Sequence, residues 1–312
     1  MPDSASGKRT AADHASQAGF SLVEVLVSTA MLLIISGAVS SAMLQTINQQ
    51  KTIWNRTEMH SGVRSATELL QQEVGQAGRI SLPAPVTLTA AVGLAGPRTV
   101  GVSSTAGMFA NEYLTIDSGA NQETIQLTGV NTPANEITAS FANTHLLGVP
   151  VQVFGGFANG VVPTTLANGS TGTVLKIFGD INGDGNMVYA EYTCDTVGGN
   201  LYRNSMDWNA AAKPALTVAQ ILLSNIQPNP GGAPCFTYQE QTFNGTTYVT
   251  DVAITLTVQT QQVDPITKQF QMETKALLNV SPRNVFNVWQ LASNQVTNRV
   301  QPNPASILNL LP

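Results

Sequence analysis

Three groups of residues have the types and spacing to do chemistry. The first is acidic. Asp180, Asn182, Asp184, Asn186 and Glu191 fit the spacing D-x-[DN]-x-[DN]-G-x5-E, which brings oxygen ligands onto a hard cation such as Ca2+. Apolar runs on both sides read as strands, however, and not as the helices of an EF-hand. An extended 186–191 would carry Glu191 about 16 Å from Asn186, so it is the weakest candidate ligand. The competing reading needs no metal, because Asp, Asn and Gly at these offsets also build a tight turn. The second group is the cysteine pair, Cys194 and Cys235. In an oxidising compartment they would close a disulfide loop worth ~3–4 kcal/mol, and otherwise they are two buried thiols. The third is a single carboxylate, Glu24, inside the apolar run Phe20–Leu44. That run has membrane-spanning length, and a carboxylate in hydrocarbon costs at least about 2–3 kcal/mol and marks function.

No catalytic constellation accompanies these residues. G-x-S-x-G, Walker, G-x-G-x-x-G and H-E-x-x-H patterns are absent from the sequence, and the three histidines (His14, His60, His145) are scattered. Two cysteines alone make no zinc site. The expectation is a non-enzyme that requires no cofactor, with structural Ca2+ as the one option. Of 312 residues only 11% are charged and the net charge is −5, which argues against a general nucleic-acid-binding surface.

The elements that must position these groups follow from periodicity. Beyond the apolar run, Met59, Val63, Ala66, Leu70, Val74 and Ala77 recur at three- and four-residue steps until Gly78, Pro83 and Pro85. Residues 20–79 therefore read as one long helix of about 59 residues, about 90 Å at 1.5 Å per residue, with 20–44 as its transmembrane part. Period-two patterning then takes over. Strands are expected at 113–117, 123–130, 136–141 and 149–154, which make a β-rich insertion module over 98–158. A second set, at 173–178, 187–194, 200–203, 248–260 and 269–280, makes a β domain over 159–286. The Asn- and Pro-rich 287–312 reads as a surface tail. The fold class is α+β: a long N-terminal helix packed on antiparallel sheet, with an added β-rich insertion.

Gly19-Phe20-Ser21-Leu22-Val23-Glu24 resembles the processing site of type IV prepilins and type II secretion pseudopilins. Further stretches, 61–78, Phe178–Gly185, Gly199–Arg203 and Val280–Asn284, are most similar to PilW-like minor pilins. The resemblance implies a 1–19 leader removed by prepilin peptidase between Gly19 and Phe20, then N-methylation of Phe20. An ordinary anchor or an uncleaved signal anchor is the plainer alternative. The resemblance further implies a single-pass inner-membrane precursor with a periplasmic globular domain, later part of a cell-surface pilus. Its partners would be other pilins, through their N-terminal helices, and the inner-membrane assembly platform. Glu24 would pair with a neighbour's N-terminal amine during filament assembly. A pseudopilin of a type II secretion system is one alternative. A pilus-tip adhesin acting through 98–158 is another.

Overall fold

The computed structural model describes residues 19–312, apart from the side chains of 277–279. By packing the chain divides into two units, one ending at Ile53 and one running from Trp54 to Pro312. Helix α1 (Leu22–Gln76) contributes to both.

Among the described residues of the first unit α1 has no apolar partner. Leu32, Leu33, Ile34 and Ile35 are all more than 60% exposed. The helix is long and apolar enough to cross a membrane, and none of its most apolar stretch is buried in protein. Apolar surface of this extent is unfavourable in water, so the segment needs hydrocarbon or other helices around it.

In the second unit the same helix becomes amphipathic. Met59, Val63, Ala66, Leu70 and Val74 are buried against both sheets of the main body. The helix stops where the sequence places the stop. Gly78 adopts φ +80° and its N–H bonds Phe178 O at 2.9 Å. A Cβ there would meet Val285 at 2.9 Å and Phe157 O at 3.0 Å, so the position requires glycine.

A six-stranded module follows: β1 (Val86–Thr87), β2 (Gly96–Gly101), β3 (Tyr113–Ile116), β4 (Glu123–Asn131), β5 (Glu136–Phe141) and β6 (Pro150–Val153). The order is β1-β6-β3-β4-β5-β2. The two ends meet through an antiparallel bridge of Leu88 to Val102, with Thr89 N to Gly101 O and Ser103 N to Thr87 O at 2.9 Å. The sheet therefore closes on itself as a small barrel, which removes its edges. Leu114, Ile116, Leu127, Ile137 and Phe141 fill its core. The strand set begins at Val86, earlier than the expected 98. β1 is only two residues long, and β2 carries Gly96 and Pro97, so neither shows a period-two run.

The main body holds two sheets. In the first, β8 (Val174–Gly179), β9 (Val188–Asp195), β10 (Asn200–Asp207) and β11 (Ile221–Ser224) run in the order β11-β10-β9-β8. In the second, β12 (Ile226–Gln227) and β13 (Phe236–Phe243) pair with β14 (Thr246–Gln259), and β15 (Met272–Val280) pairs with β14 as well. The expected hairpin turn at 264–267 is present, with Asp264 Oδ1 accepting from the N–H groups of Ile266 and Thr267. β7 (Gly156–Phe157) pairs in parallel with β16 (Val300–Gln301).

The C-terminus corrects the expectation of a surface tail over 287–312. Helix α2 (Arg283–Ser293) buries Val285, Val288 and Ala292, and α3 (Ala305–Leu310) buries Ile307 and Leu310. Asn and Pro do not prevent burial here. The apolar residues sit at helical spacing between them, and Pro304 precedes a helix, where its missing N–H costs nothing.

Candidate functional site

Gly19, Phe20 and Glu24 lie at the start of α1. Ser21 opens the helix, its Oγ accepting from Glu24 N at 3.2 Å and its carbonyl from Glu24 N and Val25 N. Ser-x-x-Glu at a helix start is the capping-box pattern, a local signal for where α1 begins. Phe20 and Glu24 are four residues apart, one helical turn, and both are exposed. Glu24 thus stands in the first turn, where the helix dipole favours an anion. Among the described residues no Lys or Arg pairs with it. An exposed apolar helix that carries an unpaired carboxylate is suited to receiving a cation from elsewhere.

The acidic loop does something else. Asp180 is fully buried and is satisfied by protein donors. Its Oδ1 accepts from Asp184 N at 3.0 Å, and its Oδ2 from Ser81 Oγ at 2.7 Å and Gly185 N at 3.3 Å. Arg79 Nε lies 3.4 Å from Oδ2. Asp184 Oδ1 accepts from Asn186 N, and the Asn182 side chain is exposed. Glu191 belongs to a different cluster, bonded to Tyr189 Oη and Lys213 Nζ and 3.4 Å from Lys176 Nζ. A hard cation would displace those donors and face a guanidinium, so this donor set does not fit Ca2+. Among the described residues no group of three or more His, Cys, Asp or Glu is placed to hold a metal ion. The loop is a tight turn that ties the exit of α1, at Arg79 and Ser81, to β8.

Cys194 on β9 and Cys235 beside β13 form a disulfide between the two sheets, with Cα atoms 6.5 Å apart. Both residues lie in the core that α1 shares with the sheets.

Three ionisable clusters were not singled out from the sequence. Glu73 of α1 is buried and receives Tyr192 Oη at 2.5 Å and the Arg203 guanidinium at 2.5–3.1 Å. Burial opposes the Arg203 charge, but the Glu73 hydrogen bond and charge prevail and raise its pKa. Burial first, then Glu73, pushes the Tyr192 phenol up, so it stays a donor. In the barrel, His145 lies buried between Asp117 (3.2 Å) and Glu123 (2.7 Å). Backbone N–H of Ser118, then His145, holds Asp117 below its usual range. Burial opposes ionisation of Glu123, but the N–H groups of Ala142 and Asn143 and His145 outweigh it and lower its pKa. Glu112, at the base of the barrel, is fully buried, and burial pushes its carboxyl up to about 8. The partners of Glu73 and His145 are far away in sequence, and the burial of Glu112 comes from the fold around it, so spacing alone gave no signal.

Residues 14–40 match the family model described as the Prokaryotic N-terminal methylation motif. No curated protein and no solved structure matches the chain. The motif and the long apolar α1 together are consistent with a type IV pilin-like protein, processed by prepilin peptidase and anchored by one span.

Proposed function

We propose that the chain is a minor pilin-like structural subunit that is cleaved after Gly19 and N-methylated on Phe20. It is held in the inner membrane by α1 and assembled into, or primes, a type IV pilus. Its partners are other pilins, which it meets through α1, and the inner-membrane assembly platform. The globular unit faces the periplasm before assembly and the cell exterior afterwards. Its work is structural and not catalytic.

One observation carries this reading. Glu24 stands in the first turn of an exposed apolar helix, directly behind a Gly-Phe junction, with no Lys or Arg paired to it among the described residues. Cleavage creates a positive amine at the mouth of such a helix. In a bundle of identical helices an amine and a carboxylate one turn apart can pair between neighbours. Each then loses the penalty of an isolated buried charge. The test is the mature N-terminus by mass spectrometry together with filament incorporation of Glu24→Gln. An N-methyl-Phe20 terminus and a Gln variant that is processed but left out of filaments support the proposal. An intact leader, or normal incorporation of the Gln variant, overturns it.

A second reading, attachment through the insertion, is favoured by the barrel. It has a closed ring of strands and a core of its own, and its loops expose Leu94, Leu146 and Leu147. Loss of attachment without loss of filaments on removing the barrel supports that role.

A further inference from the structure

The globular unit gathers exposed apolar side chains at the end where the chain arrives from the apolar run. Trp54, 75% exposed, stands at the start of that unit. Val263, Ile266, Phe270 and Met272 are exposed on and beside the connection between β14 and β15. The two places touch. Arg56 Nε donates to Gln271 Oε1, and one turn further along α1 His60 pairs with Glu273. Followed back from Glu273 to Gln271, the chain therefore runs toward the start of the unit. The pairing continues past that point, with Thr260 N donating to Gln271 O at 2.8 Å and Asp264 N to Gln269 O at 2.9 Å.

The connection is a built turn. Asp264 is buried at its centre, where its Oδ1 accepts from the N–H groups of Ile266 and Thr267 and its Oδ2 from the Gln271 amide. Burying Asp264 also leaves the patch with one sign of charge. Within 45–57 and 259–272 the charged residues are Lys51, Arg56, Asp264 and Lys268, and the three cations are exposed. They stand out in a chain of net charge −5.

Chain connectivity decides what covers this patch. Trp54 follows Leu44, the end of the apolar run, by ten residues, about 15 Å of helix. The headgroup layer extends about 5–8 Å beyond each face of the hydrocarbon, and the loop runs about 7 Å past Gln271 to Gln269. A bilayer that holds the apolar run is thus within reach of the loop. The tether also supplies strength: a patch too small to bind a free membrane suffices when the span holds it at high effective concentration. Trp and Phe among Lys and Arg are the side chains that settle in the headgroup region. A second copy offering the same patch would set three cations against three, which is unfavourable. The barrel's exposed Leu94, Leu146 and Leu147 begin fifty residues beyond Leu44 and have no such tether.

We propose that the β14–β15 connection, together with Trp54, is a second contact with the bilayer beside the α1 span, which takes the membrane-anchored reading above as given. Ile266 and Phe270 enter the headgroup region, and Lys51, Arg56 and Lys268 meet anionic lipid headgroups. Span and loop then hold the chain to the membrane at two points, and withdrawal of α1 into a filament releases both.

The test is a depth measurement on the full-length chain in vesicles of phosphatidylcholine and phosphatidylglycerol. The native cysteines are joined to each other, so Ile266→Cys, Leu33→Cys and Val197→Cys each take one spin label. Collision with oxygen and with a water-soluble nickel chelate gives the depth. The expected result is a Leu33 label in hydrocarbon and an Ile266 label several-fold less accessible to nickel than the label at Val197, which is 99% exposed. Phe270→Ser with Lys268→Glu should return the Ile266 label to the Val197 level, and Phe270→Ser alone repeats the test should the pair fail to melt cooperatively. With Leu33 in hydrocarbon, an Ile266 label as accessible as Val197 overturns the proposal, as does protection that survives the substitutions. Protection that grows with protein density at fixed lipid composition assigns the patch to a second copy of the chain and overturns it too. A Leu33 label in water overturns the anchoring reading itself, and this contact with it.

Discussion

At the scale of single residues, Glu73 and Glu112 are two buried carboxyls with opposite solutions. Glu73 is fully engaged by Arg203 and Tyr192. Removing one member of such a group leaves the others buried and unpaired, which costs more than the network contributes net. Glu73→Ala should therefore destabilise the body by about 3 kcal/mol in urea melts. Glu73→Leu combined with Arg203→Leu should cost clearly less than the two single changes added together. Glu112 has one oxygen on Phe109 N, at 3.2 Å, and the other with no partner. Its folded pKa of about 8 stands above the usual carboxylate value of 4.5, so the folded state holds the proton more tightly. Its contribution is complete below about pH 4.5 and is lost as pH rises toward 8. The wild type should lose on the order of 2 kcal/mol across that window, and Glu112→Gln should flatten the loss. Equal slopes for the two proteins would refute this. Neither role was legible in the sequence, because a carboxylate's solution depends on which distant groups the fold brings to it. Glu24 was legible because its anomaly is local: one charge in an apolar run.

At the scale of elements, α1 was the easiest to read. Its apolar run, its switch to an amphipathic stripe and its stop at Gly78 all lie within the local sequence. The longer strands β4, β5, β9 and β14 were also visible, since each alternates or runs apolar for six residues or more. β13 escaped. Phe236–Phe243 is mostly polar, and it forms a strand because β14 supplies its partner. α2 and α3 escaped because Asn and Pro content outweighed the apolar spacing. The acidic loop left two readings open, a cation site and a tight turn. Its Asp-Asn-Gly spacing serves turn geometry, with Gly183 and Gly185 at φ +72° and +88°, and Asp180 as the hub of protein hydrogen bonds. The disulfide joins β9 to the start of β13 across 41 residues. Replacing both cysteines by serine should lower stability by about 4 kcal/mol in the chain-entropy model. The same change should reduce the amount of protein that reaches filaments. An unchanged melting temperature under non-reducing conditions would show that the two sheets do not need the link.

At the scale of the whole globular unit, the barrel is a module with its own core, inserted at one place. Val86 on β1 pairs with Val151 on β6, so the chain enters and leaves the barrel side by side. That geometry permits excision of 86–153 with a short linker, and separate expression of the barrel. Its attachment to the body is narrow and specific. Gln301 bonds Tyr113 through both backbone groups and also accepts no substitute easily, since its amide additionally reaches Phe154 O. Phe109 packs on Phe157 and Trp208. Excision strips Gln301 of two partners and uncovers the Phe157 region, so the body should lose about 2–4 kcal/mol while keeping a single cooperative melt. Because α1 and the sheets it packs on are untouched, filament incorporation should survive, and attachment is the property expected to fall. An excised protein that melts without cooperativity would show instead that the barrel is a structural part of the body.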